Sequence, residues 1–134
     1  MAAPMINPAD EANQLADLFN SLSQELDDLR LGGALAGASA ADLARLKDES
    51  QALEDRAHFF TAQAIGATLQ TIQSDLAAIK SVTADAKDQL STLNSVSKAI
   101  AIATSAVSLG AAIAAGNPPA ILAAAQGLAQ TVAS

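Results

Sequence analysis

From Ser39 onward no proline appears until Pro118, and between them the apolar residues recur every three or four positions. Proline inside a helix removes a hydrogen bond and clashes with the preceding turn, so its absence leaves helix formation unopposed. Steps of three and four place side chains on one helical face. Read as unbroken, residues 40–115 make a central helix about 114 Å long, far beyond an ordinary globular helix. Sheet is disfavoured, because Phe19, Phe59 and Phe60 are the only aromatic residues and strands favour aromatic and β-branched side chains. The expected fold class is all-α: a single elongated domain over residues 1–134, a helical hairpin or coiled-coil-like bundle. It has one long central helix and an alanine-rich C-terminal helical hairpin.

The first helix is expected over 8–31. Asn7 is a good N-cap and Pro8 suits the first helical position, with Asp10 and Glu11 in the first turn, where the helix dipole favours carboxylates. Leu15, Leu18, Phe19, Leu22, Leu26 and Leu29 form its apolar stripe. Gly32-Gly33 should end it, since glycine tolerates the left-handed position after a helix. Ser39 followed by Asp42 resembles a capping box, with Asp where Glu is usual.

Within the central segment, Leu43, Leu46, Leu53, Ala57 and Phe60 keep helical spacing. A second run follows: Ile65, Leu69, Ile72, Leu76, Ile79, Val82 or Thr83, Ala86, Leu90, Leu93 and Ile100. The phase slips between Phe60 and Leu69, around Gly66, which reads as a coiled-coil stutter or a break between helices. Ser81–Asp85, rich in capping and β-branched residues, is a second candidate break. Breaks near 61–69 or 81–85 permit a compact monomeric bundle. A continuous helix does not, because its stripe from Ile65 to Ile100 outruns any covering helix in the chain and calls for other copies.

Charge is segregated along the chain. All seven basic and fourteen acidic side chains lie between Asp10 and Lys98, and 99–134 carries none. Gly116-Asn117-Pro118-Pro119 is a hard stop and restart, so 99–133 reads as an uncharged hairpin whose last helix spans 118–133. Residues 99–115 hold Ile100, Ile102, Val107, Leu109 and Ile113, contributing roughly −2 kcal/mol to bilayer insertion before polar penalties. At 17 residues the span is at the short limit for a bilayer. Gly110 and Ala114, four apart, instead suit close helix packing.

The net charge of −7 repels phosphate backbones, so no nucleic-acid partner is expected. There is no cysteine, which excludes disulfides and thiolate metal sites. One histidine cannot build a multi-histidine site. His58 has no recognisable nucleophile or orienting partner in its vicinity. Asp55-x-x-His58 is a lone echo of the di-iron bundle motif, which needs two such units. The doublets Asp27-Asp28, Asp48-Glu49 and Glu54-Asp55 diverge around a helix and form no clamp. Gly32–Gly37 follows a helix and lacks the lysine of a phosphate loop. The chain is therefore expected to be no enzyme, with no cofactor, no metal and no small-molecule substrate.

The Ala/Ser/Thr/Gln/Leu mix of 61–134 resembles, in composition alone, helical filament subunits of bacterial secretion systems. The uncharged hairpin is similar in style to those of α-helical pore-forming toxins. Neither resemblance carries a motif or assigns a residue a role. The expected function is a self-associating structural or interaction protein, a homo-oligomer packing through Ile65, Leu69, Ile72, Leu76, Ile79, Leu90, Leu93, Ile100, Val107, Gly110 and Ala114. Gly116, Asn117, Pro118 and Pro119 form the hairpin turn. The alternative is a membrane-active protein inserting 99–133. Residues 1–7 carry neither a basic nor an apolar signal region, which predicts a cytoplasmic location or export without a cleavable signal.

Overall fold

Asn7 opens α1 (Pro8–Leu31) by accepting the Ala9 and Asp10 amides on Oδ1 at 3.0 and 3.3 Å. In the computed structural model, which describes residues 7–32 and 37–134, five further helices follow. They are α2 (Ala40–Phe59), α3 (Ala62–Thr71), α4 (Leu76–Leu90), α5 (Val96–Ala115) and α6 (Pro118–Ala133), and no strand occurs among the described residues. The protein is all-helical. Gly32 has a right-handed backbone, φ −83°, not the left-handed one expected of it; Gly33, its expected companion, lies outside the described residues. Left-handed glycines stand instead at Gly37 and at Gly116, which closes α5.

The long central helix does not form. Residues 40–115 make four helices, interrupted at 60–61, 72–75 and 91–95. Phe60 leaves the helix with ψ 84° and is buried, its ring edge-on to Phe19 at 5.0 Å and 81°. Thr61 then caps α3, its hydroxyl accepting the Ala64 amide. Ile72–Asp75 is a turn held by Asp75 N–H donating to Ile72 O at 2.8 Å. Ser95 caps α5 by accepting the Lys98 amide. The chain thus bends at Phe60-Thr61, at the start of 61–69, but Ser81–Asp85 runs uninterrupted within α4. There Thr83 turns its hydroxyl back onto Ile79 O at 2.7 Å and is fully buried, so its polar group is satisfied inside the helix.

Ser39 and Asp42 form a reciprocal capping box at the start of α2. α1 and α2 pack as an antiparallel pair, and Ser23 meets Ser50 in their interface. Their hydroxyls lie 2.9 Å apart and Ser50 Oγ donates to Ser23 O at 3.1 Å. α5 lies on the pair where Gly110 faces Phe19 and Arg56, and α6 returns along α5. α3 sits at the start of α1, with Gly66 close to Pro8, and next to the end of α5, with Thr68 close to Gly116. α4 leaves from that end and finishes at the other, where Gln89 Nε2 donates to Val132 O at the close of α6. It therefore runs in the same direction as α1. Lys80 ties the two, donating to Glu11 at 2.7 Å and Gln14 at 2.8 Å.

Candidate interaction surface

The core absorbs most of the residues that the sequence assigns to self-association. Ile65, Leu69, Ile72, Leu76, Ile79 and Leu90 are each at most 2% exposed and share one core with Phe19, Leu53 and Leu109. Leu93, Ile100 and Val107 are half-buried against the same core. The stripe is therefore covered within the chain, because the turns after Phe59, Thr71 and Leu90 fold it back onto α1 and α5. With the central helix broken, the stripe leaves no uncovered length that calls for other copies. Gly110 is likewise spent inside the chain: a Cβ there would stand 2.8 Å from Phe19 Cε2 and 3.1 Å from Arg56 Cγ. Ala114, one turn on, is half-buried.

α6 keeps much of its uncharged surface outside the core. Only Ile121 and Leu128 of this helix are fully inside. Leu122 is 36% exposed, one of three large apolar side chains at the surface among the described residues; the others, Leu31 and Phe59, sit at the ends of α1 and α2. Leu122, Ala125 and Ala129 line a groove of about 230 Å³ against Ala78 and Val82 of α4, with Asp75 at its edge. Ala123, Gln126 and Gln130 continue the outer face of α6 without a charge. Gly116, Asn117, Pro118 and Pro119 place this helix: Gly116 takes φ 71°, and Asn117 Oδ1 accepts the Ala120 amide at 3.3 Å.

The far end of α6 is latched. Lys98 Nζ donates to Thr131 O at 2.5 Å and to the main-chain oxygen of Ser134, beside the Gln89 bond to Val132 O. Unpaired carbonyls at a helix C-terminus attract a cation, and Lys98, the last charge of the chain, supplies it. This role was not legible beforehand, since it pairs residues 33 positions apart.

A second groove, of about 560 Å³, lies between α1 and α4. It is lined by Leu18, Ala77, Ser81 and Ala84, with Asp17 on the α1 side and Lys80 and Lys87 on the α4 side. Lys80 is committed to Glu11 and Gln14, whereas Asp17 and Lys87 form no ion pair among the described residues. Spacing along either helix could have shown these residues to share a face, but not that the two faces meet.

His58 is exposed near the end of α2 and makes no hydrogen bond among the described residues. Among those residues no three acidic, histidine or cysteine side chains converge where a metal ion could sit. Comparison with protein-family models, with curated proteins and with solved structures finds no match.

Proposed function

We propose that the protein is a non-enzymatic helical assembly unit whose copies meet through the uncharged outer face of α6 and the groove beside α4. The observation that carries this reading is the segregation of charge: the chain has a net charge of −7, yet 99–134 is without charge. Each pair of like charges brought to contact distance in water costs about 1 kcal/mol, so acidic copies meet most readily where charges are absent. On α6 a second copy finds alanines, Leu122 and a groove of about 230 Å³, with Asp75 alone at the rim. Small side chains there allow close helix approach. Filament-like assembly is within this reading, and the acidic helices keep the assembled particle soluble.

Sedimentation over a range of concentrations tests the proposal. The wild type should associate, and Leu122→Asp should weaken association by about tenfold or more, since it desolvates a charge at each copy of the interface. A wild type that stays monomeric at all concentrations overturns the reading.

One observation favours a second reading. α5 is the one helix among the described residues long and apolar enough to cross a membrane. Insertion would strip Ala99, Ile102, Ala106, Leu109 and Ile113 of their core partners, and recovers only roughly 2 kcal/mol. Dye leakage from anionic and zwitterionic vesicles separates the two: assembly predicts none, membrane action predicts leakage at low protein concentration.

A further inference from the structure

We infer that the groove between α1 and α4 is a second self-association face, where a second copy of this chain completes a four-helix bundle. The inference rests on the self-association reading above and adds a surface distinct from α6. Its basis is charge complementarity across a two-fold axis. One side of the groove holds Asp17 and the other Lys87, neither in an ion pair among the described residues. An axis directed along the groove lays the partner's α1 over α4, so Asp17 of each copy meets Lys87 of the other. An axis across the groove would instead stack like charges.

The register supports the pairing. α1 and α4 run in the same direction, and Lys80 joins residues 11 and 14. Seven residues further along α4, Lys87 therefore stands level with residues 18–21 of α1. A rotation about an axis parallel to the helices preserves that level. The partner's Asp17 then arrives within about 2–6 Å of Lys87 along the helix axis, at 1.5 Å per residue, a span the lysine side chain covers. Two reciprocal ion pairs result. At the same levels the partner's Leu18 lies over Ala84, a large side chain entering a row made by Ala77, Ser81 and Ala84. Knobs of this kind seat in holes of small residues, which is how antiparallel or parallel helix pairs close into bundles. Two different two-fold faces on one chain, this one and α6, produce an open string of copies instead of a closed dimer.

Charge exchange tests the pairing. Asp17→Lys and Lys87→Asp are each sedimented alone and then mixed in equal amounts, with circular dichroism to show that both remain helical. Alone, each variant faces its own copy with two like-charged contacts, and association through the groove should weaken about tenfold at low salt. Mixed, the basic pair of one meets the acidic pair of the other, and a heteromeric species should return. Wild-type association untouched by either substitution, or a mixture that restores nothing, overturns the groove while leaving self-association through α6 standing. A monomeric wild type overturns both.

Discussion

Gly110 and Gly127 offer a matched test of how tightly α5 is held. Both lie inside helices, in α5 and α6, with ordinary helical backbones, and both gain helix propensity when replaced by alanine, about 1 kcal/mol. They differ in what the new methyl meets. At Gly127 nothing lies within 4 Å. At Gly110 the methyl would stand 2.8 Å from Phe19 Cε2 and 3.1 Å from Arg56 Cγ, against an optimal carbon–carbon separation of about 3.5–4.0 Å. Arg56 is half-exposed and can give way. Phe19 cannot: it is fully buried, and its ring stands edge-on to that of Phe60, itself 2% exposed. Overpacking of this kind costs about 1–3 kcal/mol. Gly127→Ala should therefore stabilise by about 0.5–1 kcal/mol, and Gly110→Ala should destabilise by about 0–2 kcal/mol once the propensity gain is subtracted. Thermal and urea unfolding followed by circular dichroism at one fixed protein concentration reads the difference, which should reach several degrees in Tm. The fixed concentration matters because association itself shifts apparent stability. If Gly110→Ala proves as stable as Gly127→Ala, the close approach of α5 to Phe19 is wrong.

Two further outcomes follow from individual contacts. Lys98→Met keeps the aliphatic stem but removes the cation from the last carbonyls of α6; amide exchange in α6 should accelerate while α1 and α2 stay protected, and uniform exchange across all helices would refute the latch. Ser50→Ala deletes both hydrogen bonds that join α2 to Ser23 in a buried interface; unfolding free energy should fall by about 0.5–2 kcal/mol, and an unchanged value would show that Ser23 needs no partner from α2.

Where local chemistry alone decides an element, the sequence was readable. Asn7-Pro8 and Asn117-Pro118 start helices because an amide side chain accepts the first free N–H groups and proline is already set for the first turn. Ser39 with Asp42 does the same for α2. The breaks at Ile72–Asp75 and Ser91–Ser95 were not readable. The first contains Asp75, which makes no capping bond, and neither contains glycine or proline. Nothing local forbids a helix at these places; the chain turns there because the apolar faces on either side are buried against α1 and α5. Ser81–Asp85 errs in the other direction, since its β-branched and polar residues look like a break, while Thr83 is tolerated once its hydroxyl returns to Ile79.

The same physics explains why the apolar stripe was misread as an external surface. Helices that fold back around one core each present an inward face, and with short turns between them the inward residues of successive helices continue the three-and-four rhythm almost in phase. Such spacing cannot tell a rod from a bundle, because Leu69, Ile72, Leu76 and Ile79 keep it across the turn that separates α3 from α4. Charge is the better guide to the outside. It marks the wet faces of α1, α2 and α4, whereas α3 and the long stretch after Lys98 are without it. On α6 that stretch reaches the surface with little of the helix fully buried, and on α5 the same composition is taken up by close packing on Phe19 and Arg56. Apolar periodicity thus locates the core of this chain, and the absence of charge after Lys98 sets the character of the outer face of α6.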